Sequence, residues 1–433
     1  MVALPSLAIR QLKVLFHSSL YANSIYLIAA SVVNTAFGFF FWTTAARLYR
    51  LQEVGLSAAA VSAISLLVML SGLGLDAVLV RFLPHAVDPR RIVNFSLMTG
   101  GMAAFVSCLV FLAGLGFWSP ALAPLRQSPA FMASLIVSAV CSTLSGLCGG
   151  VFLAGKRAGL VLAQSAVFGA TKLLAALLLA TVGGAGALIG AWALGTSAAA
   201  AAAVLLFLPW VQVGSGKDGV PVRADTIRDM SRYASANYVV TVLGTAPIYL
   251  LPLLIVNLIG AEANAYYYVA SSISGLLAMV PTAAALSLFA HGSHDARLVT
   301  GQALDSLRLA LALLLPALAM VWLFGSRLLL LFGPAYSAEG TRLLQVLALA
   351  TVPMTVNILF FSVRRVQQQM RDVVVGMAWI MCVTVGLSVV LLPRVGLIGV
   401  GATWFLAQAS LALVLLVRYA RRWKGGPLYG SSS

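Results

Sequence analysis

Charge is what this sequence has least of. Of its 433 residues only 9% are charged, and just eleven are acidic. A water-soluble chain of this length needs far more polar surface, because much of what faces solvent must be hydrated. Long polar stretches are missing too. The longest, from Val211 to Arg232, is about twenty residues and too short for a soluble domain. The apolar runs are continuous and do not alternate with polar residues, which excludes a membrane β-barrel. The four cysteines, Cys108, Cys141, Cys148 and Cys382, fall inside apolar runs without metal-ligand spacing and read as small apolar filler. The four histidines, His17, His85, His291 and His294, fall at the ends of those runs, and His291 with His294 alone makes a poor metal site. No G-x-x-x-x-G-K-[ST] loop occurs, so the chain is not expected to hydrolyse ATP. With the acidic residues confined almost entirely to loops and span ends, no catalytic constellation forms. Neither an enzymatic activity, nor a cofactor, nor a bound metal is expected.

What is present is hydrocarbon. Hydrophobic residues make up 61% of the chain, with a mean hydropathy of +1.01. Apolar windows of about 20 residues recur from end to end, each long enough to cross a bilayer core of about 30 Å. Twelve spans follow, at 22–46, 57–80, 92–117, 130–154, 160–181, 186–210, 233–259, 264–290, 304–325, 342–363, 373–393 and 396–417. The fold class is therefore an all-α polytopic membrane protein. Residues 1–21 place Arg10, Lys13 and His17 among Leu, Ile and Phe, the pattern of an interfacial helix without a convincing cleavable signal. The expected organisation is that helix, a six-span bundle over 22–210, a cytoplasmic linker at 211–232, a second six-span bundle over 233–417, and a basic cytoplasmic tail at 418–433.

The net charge of +16 would suggest nucleic acid in a soluble protein, but here it follows membrane topology and no nucleic-acid partner is expected. With the N-terminus cytoplasmic, twenty basic residues fall on the cytoplasmic side and six opposite, and Lys172 is left over. An even number of spans returns the C-terminus to the same side. The halves also resemble each other. Gln52-Glu53-Val54-Gly55-Leu56 pairs with Gly260-Ala261-Glu262-Ala263, Lys156-Arg157 with Arg364-Arg365, and Gly186-Ala187-Leu188-Ile189-Gly190 with Gly396-Leu397-Ile398-Gly399, all about 209 residues apart. A constant offset at equivalent span boundaries argues for duplication. Repeated transporters of this kind place their substrate site between the halves.

Lys172 is the informative residue. It lies near the middle of span five, where a charge costs about 2.5–3.5 kcal/mol or more to insert. It should therefore face water, a partner or a ligand. Gln164 lies eight residues earlier on the same helix face, with Phe168 between and Thr171 beside, so one polar stripe points inward. The bland alternatives are snorkelling and a purely structural hydrogen bond. Milder polarity marks span one at Ser31, Asn34 and Gly38, and the equivalent span seven at Asn237, Thr241, Gly244 and Thr245. These positions suit either helix packing or cavity lining. Arg47, Arg81 and Arg308 are further candidates for phosphate contact. Arg47 and Arg81 read first as interface anchors, with phosphate contact the minority reading, and Asp305 could simply pair with Arg308. Pro247, Pro252, Pro281, Pro316 and Pro353 interrupt spans of the second half, and each frees a backbone carbonyl and permits bending.

Ala46-Arg47-Leu48-Tyr49, Glu53-Val54-Gly55-Leu56, Gly72-Leu73-Gly74-Leu75-Asp76 and Val80-Arg81-Phe82-Leu83-Pro84 resemble the opening of bacterial oligosaccharide flippases (Wzx-like) of the multidrug/oligosaccharidyl-lipid/polysaccharide superfamily. Gly260-Ala261-Glu262, Tyr266-Tyr267-Tyr268-Val269-Ala270, Met279-Val280-Pro281 and Ser287-Leu288-Phe289 resemble that family's second half. The resemblance implies two pseudo-symmetric six-helix bundles around a central cavity. It also implies an undecaprenyl-pyrophosphate-linked oligosaccharide as cargo, flipped from the cytoplasmic to the periplasmic leaflet of the bacterial inner membrane. Cavity cations are a family habit, and Lys172 is the best match here. Membrane lipids surround such a protein, and a polysaccharide polymerase and co-polymerase stand as candidate partners. The rival readings are a cation-coupled multidrug exporter, which needs a membrane-embedded carboxylate, and a peptidoglycan-precursor flippase, a family usually of fourteen spans. A membrane glycosyltransferase or ligase would need large periplasmic loops, and a structural scaffold stays open.

Overall fold

The computed structural model describes residues 19–211, 224–292 and 299–424, and all regular elements among them are helical. Twelve long helices carry the fold: α1 (Ser19–Leu48), α2 (Leu51–Ser71), α3 (Pro89–Ala113), α4 (Pro129–Ala154), α5 (Ala158–Leu179), α6 (Gly184–Ala201), α7 (Ala224–Leu258), α8 (Ala261–Gly292), α9 (Val299–Leu330), α10 (Pro334–Val366), α11 (Met370–Val395) and α12 (Leu397–Lys424). Among the described residues twelve helical segments are long and apolar enough to cross a membrane. The protein is a multi-pass membrane protein. Its outward surface is that of a lipid-facing chain: on α3 and α9 Met98, Met102, Leu313 and Leu323 are more than half exposed. Where lipid tails are as apolar as leucine, close backbone approach holds helices together. The buried face of α2 accordingly runs Ala58, Ala59, Ala60 and Ala63.

The chain divides into two compact units, with the boundary between Val242 and Leu243 inside α7. In the first unit α4 is central. It packs on α2, α3 and α6, while α5 lies between α1 and α6. In the second unit α10 takes the central place against α8, α9 and α12, and α11 packs on α12. The pairings of α10 and the packing of α11 on α12 reproduce those of α4 and of α5 on α6, each helix replaced by the one six further on.

The turns repeat as well. After α4 the Gly155 amide donates to the Val151 carbonyl at 2.9 Å and the Arg157 amide to Phe152 at 2.8 Å. After α10 the Gln367 amide donates to Val363 at 3.0 Å and Gln369 to Arg364 at 2.9 Å. Both are Schellman-type endings closed by a left-handed residue. That residue is Lys156 in one (φ 56°) and Gln368 in the other (φ 57°). The structural counterpart of Lys156-Arg157 is therefore Gln368-Gln369, and Arg364-Arg365 lies a turn earlier in the helix. Likewise Gly183 (φ 68°) matches Gly396 (φ 69°), whereas Gly186 is inside α6. The duplication stands, with a register a few residues longer than the sequence pairing.

Two expected spans are shorter than their apolar runs. Span two ends at Ser71, and Leu75–Phe82 forms a separate short helix. Leu73 (φ 49°) and Gly74 (φ 72°) turn the chain between them. A Cβ on Gly74 would meet the Ala234 carbonyl oxygen at 2.6 Å, so glycine is required there twice over. Span three ends at Ala113, before Gly114, where Trp118 folds back into the space a side chain would take. The expected interfacial helix, most of the linker and the end of the basic tail lie outside the described residues.

Candidate functional site

Lys172 lies on α5, flanked by α1 and α6 of the same unit. Two glycines bring the three helices close. A Cβ on Gly169 would stand 2.4 Å from the Phe37 ring of α1, and one on Gly195 of α6 would stand 2.8 Å from the Lys172 Cβ. The lysine is consequently enclosed, at 2% exposure. Its Nζ lies 4.1 Å from the centroid of Phe168, 4.7 Å from that of Trp192 and 5.6 Å from that of Phe41. The rings brace one another edge to face: Phe168 on Trp192 at 5.3 Å, and Phe41 on Trp192 at 5.7 Å. Trp42 stands behind, 5.1 Å from Phe41.

A buried ammonium without compensation is expensive, and ring faces supply part of what water would. Each cation–π contact is worth about 2 kcal/mol at a desolvated site. Contacts of that size are comparable with an insertion cost of about 2.5–3.5 kcal/mol. No carboxylate is buried among the described residues, and neither of their salt bridges includes Lys172.

Gln164 is also buried, but its amide takes another direction, donating to the Ser145 carbonyl of α4 at 3.0 Å. The stripe of Gln164 and Lys172 thus faces inward and serves two different neighbours. The other candidates are not gathered around the lysine. Asn34 and Arg47 are exposed on α1. Arg81 is exposed at the end of the short Leu75–Phe82 helix, its guanidinium 5.7 Å from the Phe82 ring centroid. Arg308 pairs with Asp305 at 3.3 Å on the exposed face of α9. The side chain of Asn237 lies outside the described residues. Phe41 and Trp192 are the site residues that sequence reasoning missed. Beyond the site, the Tyr49 hydroxyl donates to the Ala176 carbonyl at 2.8 Å, pinning the end of α1 to α5. Burial, then the neighbouring Glu53 carboxylate, pushes its phenol pKa up, so it stays a donor. Among the described residues no three His, Cys, Asp or Glu side chains gather as metal ligands would.

This architecture is similar to that of solved MOP superfamily transporters. The fold resembles a lipid II flippase MurJ in an inward closed conformation, with a TM-score of 0.71 at 11% identity over 92% of this chain and 87% of that one. It resembles an inward-facing multidrug resistance MATE family transporter with a TM-score of 0.63 at 14% identity, over 93% and 100%. A MOP superfamily transporter from Pyrococcus furiosus gives 0.58 at 15% identity, over 94% and 95%. No curated protein sequence matches the chain. The polysaccharide biosynthesis protein family matches residues 20–289, well over half the length, and the chain belongs to that family.

Proposed function

We propose that the protein flips an undecaprenyl-pyrophosphate-linked oligosaccharide from the cytoplasmic to the periplasmic leaflet by alternating access, as a carrier and not an enzyme. Membership of the polysaccharide biosynthesis family over residues 20–289 is the observation that carries the reading. The enclosed cation supports it, because a pyrophosphate entering an apolar protein needs positive charge to meet it. On this reading Lys172 meets the head group. The bacterial inner membrane is the proposed location, with both termini cytoplasmic, an orientation that the bias of twenty basic residues to six supports. The polymerase and co-polymerase that use the flipped cargo are its natural partners.

A multidrug exporter is the second reading, favoured by the MATE-like fold. That reading calls for a membrane-embedded carboxylate to meet a cationic drug, and no Asp or Glu is buried among the described residues. The deciding experiment uses a strain deleted for the chromosomal gene. Wild type restores surface polysaccharide, whereas Lys172→Ala inserts normally and restores none. Normal polymer export by Lys172→Ala removes the lysine from the mechanism. Unchanged polymer in the deletion strain, with altered drug susceptibility, replaces the flippase by the exporter.

A further inference from the structure

We infer that Phe41, Phe168 and Trp192 are positioning residues, three rings that hold the Lys172 ammonium until an anionic head group replaces them as its partner. The inference rests on the proposed pyrophosphate cargo.

A lysine ammonium carries three N–H donors. Among the described residues those of Lys172 find aromatic faces at 4.1, 4.7 and 5.6 Å, and no hydrogen-bond acceptor. Ring faces answer the charge but leave the donors unmet. A pyrophosphate oxygen answers both, through short charge-assisted hydrogen bonds that are about twice as strong as neutral ones. The rings therefore fit a resting partner that a stronger one displaces. They also fix where the ammonium waits, because each comes from a different helix: Phe41 from α1, Phe168 from α5 and Trp192 from α6.

The close glycine contacts place the rings where the three helices pack tightly, with Gly169 seated on Phe37 and Gly195 on the Lys172 stem. An uncharged polyprenol offers the ammonium nothing better than the rings.

The test uses the full chain in lipid nanodiscs, labelled with fluorotryptophan, and reads the fluorine resonance of Trp192, assigned by its loss in Trp192→Phe. Farnesyl pyrophosphate is the probe and farnesol the control. Farnesyl pyrophosphate is expected to shift the resonance in the direction produced by Lys172→Met alone, and farnesol to leave it in place. Trp192→Leu, which removes a resting partner that the head group must displace, tightens farnesyl pyrophosphate binding by about tenfold in the wild type but not in the Lys172→Met background, while Trp192→Phe, which keeps a ring, stays within about threefold. Binding that depends on Lys172 but leaves the Trp192 resonance unmoved overturns the role of the rings and keeps the cargo assignment. An equal change from Trp192→Leu in both backgrounds marks the ring as packing alone and overturns it too. Absence of any Lys172-dependent binding overturns the cargo assignment and this inference together.

Discussion

At the scale of single residues, the site depends on two positions that carry no chemistry. Gly195 lets α6 approach until a Cβ there would stand 2.8 Å from the Lys172 Cβ and 3.1 Å from the Phe168 carbonyl oxygen. Gly195→Ala must therefore push α6 away, at about 1–3 kcal/mol for an overpacked interior. The expected outcome is a lowered melting temperature in detergent together with reduced polymer export. Lys172 itself was legible in the sequence, because a lone charge in a long apolar run has few explanations. Its surroundings were not. Phe41 belongs to the run Phe39-Phe40-Phe41-Trp42, which points rings in every direction around α1. Packing alone decides that Phe41 is 1% exposed and Phe40 56%. Trp192 lies twenty residues from Lys172 on the next helix, and no spacing rule links them.

At the scale of elements, the helix starts show how far local signals reach. Asp88 and Ser128 cap α3 and α4 in the usual way, accepting from the Arg91 and Phe131 amides at 3.1 and 3.3 Å. The first amide of α5, that of Ala158, is met instead by the Asn23 side chain of α1 at 3.1 Å. Asn23→Ala should accordingly destabilise the first unit by about 1 kcal/mol, as loss of a cap does. Faster amide exchange confined to the first turn of α5 is the measurement that checks it. A contact spanning 135 residues has no sequence signature. The spans, by contrast, were legible because apolar length is fixed by bilayer thickness. Their ends were misplaced where apolar residues continue through a turn, as at Gly72-Leu73-Gly74. Proline is distributed unevenly between the units. It opens α3, α4 and α10 at their first positions, but lies inside α7, α8, α9, α10 and α11, all with their internal prolines in the second unit. Proline at a helix start costs no hydrogen bond, whereas inside a helix it removes one.

At the scale of the whole molecule, the proposed topology, drawn from the charge bias, is directly testable. A green fluorescent protein fused after the C-terminus should fluoresce, and alkaline phosphatase fused there should be inactive. The reverse pattern would invert the membrane orientation and the proposed direction of transport. The relation of the halves was visible as three short sequence matches, but their true register was not. What the duplication has kept is backbone geometry, and side-chain identity has drifted over it. At the turn after α4 the left-handed residue is a lysine, and after α10 a glutamine.

That matched pair of turns has a thermodynamic use. Left-handed backbone strains any residue with a Cβ by about 1–2 kcal/mol. Lys156→Gly and Gln368→Gly therefore relieve nearly the same strain, once in each unit. They act as one calibrated perturbation delivered separately to the two halves. If the protein melts as a single cooperative body, both substitutions raise the same transition by equal amounts. If each unit melts alone, each substitution moves only its own transition, and calorimetry on two point variants measures how far the duplicated halves still behave as independent proteins.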